Sequence, residues 1–223
     1  MLLSVMQDTL LDVEKEETIS VLDLLLTGGY MMIPILLLWI VSIYIFIERQ
    51  RTLSAASKTP ESFKDQIRSL VISGDINGAQ MLCKSTDTPV ARMIEKGVSR
   101  IGNTLKNIET SIENVGKLEI YRLEKNLNLL ATISGAAPMI GFLGTVTGMI
   151  QAFIAIAQEE GAVSPKLLSS GIYEAMITTA AGLFVGIFAY LGYNYLVSKV
   201  SKVIHTMESN VIDFIDLLQE PKK

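Results

Sequence analysis

Three long apolar segments set the plan of this chain. The first, Met31–Ile47, reads MMIPILLLWIVSIYIFI. With Gly28–Tyr30 it is long enough to cross a hydrocarbon core of about 30 Å. The second runs without a charge from Leu127 to Ala157, and the third, from Leu167 to Ser198, carries Glu174 as its one ionised side chain. Between the first two the pattern shortens. Thr59-Pro60-Glu61 offers an N-cap, a first-turn proline and an early acid; Asp75 follows Gly74 in a tight break; Thr88-Pro89 repeats the first signature. These signals predict short helices near 60–73, 76–84 and 90–101. From Leu105 the apolar positions Leu105, Ile108, Ile112, Val115, Leu118, Leu123 and Leu127 recur at helical spacing, and no proline intervenes before Pro138. That spacing predicts an amphipathic helix running straight into the second span. The third span continues in the same way through Val200, Val203, Ile204, Met207, Val211, Ile212, Phe214 and Ile215.

The fold class that follows is an all-α membrane protein with three transmembrane helices, two of them long and extended into the cytoplasm, and a helical cytoplasmic domain. Its segments are an extracytoplasmic N-terminal arm (1–28), transmembrane helix 1 (29–47), the cytoplasmic helical domain (48–126), transmembrane helix 2 (127–157), an extracytoplasmic loop (158–166), transmembrane helix 3 (167–198) and a cytoplasmic C-terminal helix (199–223). A projecting apolar stripe packs on its hairpin partner or on other subunits.

Charge then fixes the orientation. Of 19 lysines and arginines, all but six fall between residues 48 and 126; Lys199, Lys202, Lys222 and Lys223 are in the tail, leaving only Lys15 and Lys166 for the other side. Basic residues stay in the cytoplasm, so the N-terminus is expected outside and the large loop and tail inside. Residues 1–28 lack a basic n-region and carry Asp8, Asp12, Glu14, Glu16, Glu17 and Asp23, unlike a signal peptide. Leu2, Leu3, Val5, Met6, Leu10 and Leu11 supply an apolar side for a surface-lying amphipathic helix. A hydrophobic fraction of 49% and a mean hydropathy of +0.40 agree with a chain dissolved partly in lipid.

The same composition excludes several functions. A net charge of −4 without a concentrated basic face argues against nucleic acid as a partner. Cys83 is the single cysteine and reads as a small buried residue; His205 is the single histidine, too few ligands for a metal site. No phosphate-binding loop, nucleophile elbow or HExxH stretch is present, so neither an enzyme nor a cofactor is expected.

The chemistry is expected in the membrane hairpin. Pro138, Gly141, Thr145, Gly148 and Ala152 succeed one another at i+3 or i+4, making one small, weakly polar face; Ala175, Gly182, Gly186 and Ala189 do the same on the third span. Such faces ordinarily serve close packing, and Pro138, Gly141, Gly144, Gly148, Gly182 and Gly186 are assigned to it. At 1.5 Å per residue, Thr145 and Thr179 lie about 5 Å outward of the midplane, with Glu174 about 7–8 Å further out. For the threonines, packing is the leading reading on spacing alone. A carboxylate in a span costs roughly 2.5–3.5 kcal/mol to insert and is by default functional or paired; no lysine or arginine exists within these spans to pair with Glu174.

The runs AAPMIGFLGTVTGMIQAF (136–153) and GIYEAMITTAAGL (171–183) closely resemble the paired signatures of the ExbB/TolQ/MotA proton-channel family. Gly74-Asp75, Ala79, Cys83, Pro89-Val90-Ala91-Arg92 and Gly97 resemble its cytoplasmic segment. The resemblance covers most of the chain from about residue 30, and three spans fit the ExbB/TolQ branch. It implies an inner-membrane homo-oligomer, a pentamer, around the single-span helices of an ExbD/TolR-like partner, which carries protons inward and works through a TonB- or TolA-like protein in uptake or envelope maintenance. It further implies that Thr145 and Thr179 line the pore beside Glu174. Helical geometry instead sets Thr178 about 40° from Glu174 and Thr179 about 140° away, so both threonines stay candidates. A different reading is a non-conducting scaffold or sensor in which Glu174 only pairs with a partner's cation.

Overall fold

The computed structural model describes residues 28–60, 62–158 and 165–219. Seven helices make up the described residues: α1 (Met32–Ala56), α2 (Ser62–Ser73), α3 (Ile76–Thr86), α4 (Pro89–Val98), α5 (Leu105–Glu124), α6 (Leu127–Gln158) and α7 (Pro165–Gln219). No strand occurs among the described residues, and the chain is an all-α membrane protein. Among the described residues three segments are long and apolar enough to cross a membrane: Met32–Ala56, Leu105–Gln158 and Ser169–Gln219. Most of the N-terminal arm (1–28) and of the 158–166 loop lies outside the described residues, as does Glu61.

The short helices begin where their caps predict. Asp75 accepts a hydrogen bond from the Gly78 N–H at 2.9 Å, and Thr88 from the Ala91 N–H at 3.3 Å. Each satisfies a backbone donor that the first helical turn leaves orphaned. At the α2 start the Thr59 hydroxyl donates to Thr88 Oγ1 instead, and the Phe63 N–H bonds the Pro60 carbonyl. One expectation is corrected. The helix from Leu105 does not run unbroken into the second span; α5 ends at Glu124, Asn126 adopts φ +63°, and α6 starts at Leu127. Asn tolerates the left-handed region better than most residues. The Arg49 guanidinium, itself buried, donates to the Arg122 carbonyl at 3.0 Å and so satisfies one of the acceptors freed at the end of α5.

By its contacts the chain divides into two compact units, Met1–Leu37 with Ala137–Phe184, and Leu38–Ala136 with Val185–Lys223. The second unit is built around α4, which buries Pro89, Val90, Ala91, Met93, Ile94, Gly97 and Val98. A Cβ at Gly97 would lie 2.6 Å from Phe214 Cε1 and 2.7 Å from Ile112 Cδ1, so α4, α5 and α7 meet there. The Trp39 and Phe188 rings stack edge to face at 4.7 Å, joining α1 to α7. One carboxylate organises the polar interior of this unit: Glu119, 3% exposed, accepts from Arg92 at 2.7 Å and Arg122 at 2.6 Å. The hydrogen bond that Arg92 donates to Glu119 holds its guanidinium above its ordinary pKa. Cys83 is buried, as its setting suggested, and burial with the nearby Glu95 charge pushes its thiol up to about 12.

Candidate functional site

The other unit holds the residues singled out from the sequence. Its core is the hairpin of α6 and α7, which meet through the small faces. A Cβ at Gly182 would lie 2.6 Å from the Ala137 carbonyl oxygen and 2.9 Å from Gly141 Cα. One at Gly141 would lie 2.8 Å from the Thr178 carbonyl oxygen. Real Cβ atoms do not approach this closely, so the backbones touch with no room for a side chain on either. Gly148 opposes Ala175, and Gly171 opposes Ala152, extending the same seam. Gly186, in the second unit, is also buried. Pro138 stands within α6, half-buried, where its ring removes one helical N–H.

The threonines differ in what they touch. Thr178 is 1% exposed, donates to the Ala175 carbonyl at 2.8 Å and fills the space that a side chain at Gly144 would occupy. Thr179 is half-buried and donates across the hairpin to the Gly141 carbonyl at 3.1 Å. Thr145 is half-buried and donates to the Phe142 carbonyl of its own helix at 2.6 Å. Thr178 and Thr179 therefore both hold the hairpin together, Thr178 by volume and Thr179 by a hydrogen bond.

Glu174 is half-buried, and its carboxyl rests on Gly29, in the turn just before α1. A Cβ at Gly29 would collide with Oε1, and Gly29 itself sits at φ +65°, where a side chain is strained in any case. Neighbouring Gly28 packs on Met32 and Ile177. The Gly28-Gly29 pair thus makes a seat for the carboxyl. Among the described residues no cation or hydrogen-bond donor reaches Glu174. Gly29 was not singled out from the sequence, although two glycines immediately ahead of an apolar run do signal a tight turn. Among the described residues no cluster of metal-ligating side chains occurs. What the arrangement offers is one carboxyl on a glycine seat beside a seam of glycine and threonine.

Residues 85–209 match the profile of the MotA/TolQ/ExbB proton channel family. The chain belongs to that family. It is 30% identical over 188 residues to a putative biopolymer transport protein, ExbB-like 1, of Synechocystis, covering 83% of this chain and 74% of that protein. It is 30% identical over 201 residues to the Tol-Pal system protein TolQ of Haemophilus influenzae, covering 79% and 80%. With the biopolymer transport protein ExbB of Neisseria meningitidis it shares 29% over 188 residues, 78% and 83% of the two chains. These relatives support the ExbB/TolQ branch of the MotA/TolQ/ExbB family, one of inner-membrane transport and energy-transducing channels, and the three apolar segments agree with that setting. The matched region contains α6, α7 as far as Ser209, and Glu174, while Gly29 lies outside it.

Proposed function

We propose that this chain is the channel subunit of an inner-membrane motor that, with an ExbD/TolR-like single-span partner, converts proton motive force into mechanical work for TonB-dependent uptake or Tol-type envelope maintenance. The observation that carries the reading is Glu174: an ionisable group within an otherwise uncharged span, half-buried on a glycine seat, with no cation beside it among the described residues. A charge kept at such cost marks an ion path more often than an anchor. In this reading Glu174 and Thr145 flank the path, Thr179 reaches it from the seam, and Thr178 serves packing. The chains assemble as a ring, a pentamer in the family, with the N-terminus on the periplasmic side and α2–α5 in the cytoplasm, where the basic residues concentrate. The driving force is about 2.3 kcal/mol per proton per 100 mV.

The test is proton flux into vesicles holding the chain with and without its single-span partner, for the wild type and Glu174→Gln. The amide keeps the shape of a protonated carboxyl, so the complex should still form while partner-dependent flux falls at least tenfold. A Gln variant with wild-type flux removes Glu174 from the path. A Gln variant that loses the partner first favours the scaffold reading, in which the charge only anchors a cation.

A further inference from the structure

We propose that the cavity between the C-terminal half of α1, the first turn of α4 and the middle of α7 binds a phosphate-bearing anion at the cytoplasmic rim of the membrane. The inference concerns a site apart from Glu174 and does not depend on proton coupling. The cavity encloses about 380 Å³, within the range of small-molecule sites, about 300–1,000 Å³. Its polar wall consists of Lys199, Lys202, Ser54, Ser57 and Thr206, and no carboxylate lines it.

Charge is what gives the cavity its preference. Lys199 and Lys202 stand one turn apart on α7, and like charges at that spacing repel. Their neighbours at i±3 and i±4 on α7 are Tyr195, Leu196, Ser198, Val203, His205 and Thr206, none of them acidic. Across the cavity α1 brings Ser54, the turn after it Ser57, and α4 Val90, so no facing element supplies an acid to the wall. Two ammonium groups thus face one cavity without compensation inside it. The positive end of the α4 dipole adds to the same sign.

The donors are also partly pre-set. Lys199 Nζ lies 3.3 Å from Ser54 Oγ and 5.5 Å over the Tyr195 ring, which steadies its long side chain. The Ser57 and Thr206 hydroxyls give their hydrogens to the Leu53 and Lys202 carbonyls. Ser54 accepts from Lys199, leaving its own hydrogen for an incoming oxygen. Lys202 is exposed and makes no ion pair among the described residues, so its three donors are available.

Depth narrows the source of the phosphate to two. Ser54 lies seven residues beyond Ile47, about 10 Å along the helix; the headgroup layer is about 5–8 Å thick. A lysine at this level reaches both a lipid headgroup and a soluble anion. The test therefore has two arms, on the full-length chain in detergent: native mass spectrometry of retained phosphatidylglycerol against phosphatidylcholine, and calorimetric titration with inorganic phosphate. At about fivefold per lysine near an anionic surface, Lys199→Gln with Lys202→Gln should lower retention of phosphatidylglycerol about thirtyfold. Retention of the lipid that inorganic phosphate does not displace identifies a headgroup; phosphate binding that the double variant loses identifies a soluble anion. Lys106→Gln with Lys117→Gln removes the same charge from exposed positions and should bind as the wild type does. Lys202→Gln alone, which breaks no ion pair, should lose about fivefold even where the double variant folds poorly. Equal binding by wild type and Lys202→Gln in both arms, or an equal loss in the Lys106/Lys117 control, overturns the proposal.

Discussion

Replacing Gly182 by alanine adds one methyl group where the hairpin has no room for it. The new Cβ would lie 2.6 Å from the Ala137 carbonyl oxygen, 2.9 Å from Gly141 Cα and 3.1 Å from Gly141 N. All three neighbours are backbone, so no side chain can turn aside. Ordinary contact requires the helices to part by roughly 0.5–0.8 Å, a gap that forfeits a quarter to a half of each dispersion contact along the seam. The Thr179 hydrogen bond to the Gly141 carbonyl, now 3.1 Å, would stretch beyond useful range. Overpacking of this kind costs about 1–3 kcal/mol, and an interhelical hydrogen bond in a membrane adds about 0.6–1.7 kcal/mol. The total, about 2–5 kcal/mol, lowers the folding equilibrium by a factor of roughly 30 to 4,000. Gly135 is the control: it is exposed on α6, with nothing within 4 Å of an added Cβ. There alanine should be neutral or stabilising by up to about 1 kcal/mol, since glycine is the poorer helix former. Denaturation in mixed micelles, followed by helical circular dichroism, compares the two. Matching midpoints for Gly182→Ala and Gly135→Ala would refute the backbone contact.

Gly29→Ala should displace the Glu174 carboxyl and lower partner-dependent proton flux about tenfold or more. In a Glu174→Gln background the same change should add little, so flux in the double variant that falls well below Glu174→Gln alone argues against a shared role. Glu119→Gln should destabilise the packing of α4 on α5 by about 1–3 kcal/mol; loss from a buried pair runs to about 3–5 kcal/mol, less here because Arg92 and Arg122 are partly solvated. An unchanged melting temperature contradicts this. The Cys83 thiol, pushed from 9.0 to about 12, stays protonated at pH 8, so maleimide should label the folded chain about a thousandfold more slowly than the unfolded one. Its reactivity should return only as pH rises toward 12, and brisk labelling at pH 8 without unfolding refutes the burial.

The features legible in the sequence are those written within a few residues of one another. Asp75 and Thr88 cap N–H groups three residues downstream, and Pro89 fits a first turn, so α3 and α4 could be placed to within two or three residues. The apolar run lengths gave the three membrane segments for the same reason. The break at Lys125–Asn126 is less legible because Asn ends helices less often than glycine does; Arg49, distant in sequence, satisfies a carbonyl at the end of α5. Gly29 escaped notice similarly, since only the fold brings Glu174 onto it. The Thr178 and Thr179 question shows a different limit. A helical wheel gives the angle between two side chains, but the side on which α6 lies comes from packing, and packing buries Thr178 against Gly144.

The closeness of α6 and α7 carries an electrical consequence. A water molecule needs about one 1.4 Å probe sphere of free space and two to four polar partners. Beside Gly182 that space is already taken by the Ala137 carbonyl and Gly141, and the Thr179 hydroxyl is committed to Gly141. No file of water fits between the two helices at that level. If protons pass by way of Glu174, they travel on an outer face of the hairpin, and that face becomes a wire only when another chain covers it. At the level of Gly182 the seam of a single hairpin is closed to water. Under the proposed motor function, a cell can then make this subunit in excess of its partners without draining the gradient.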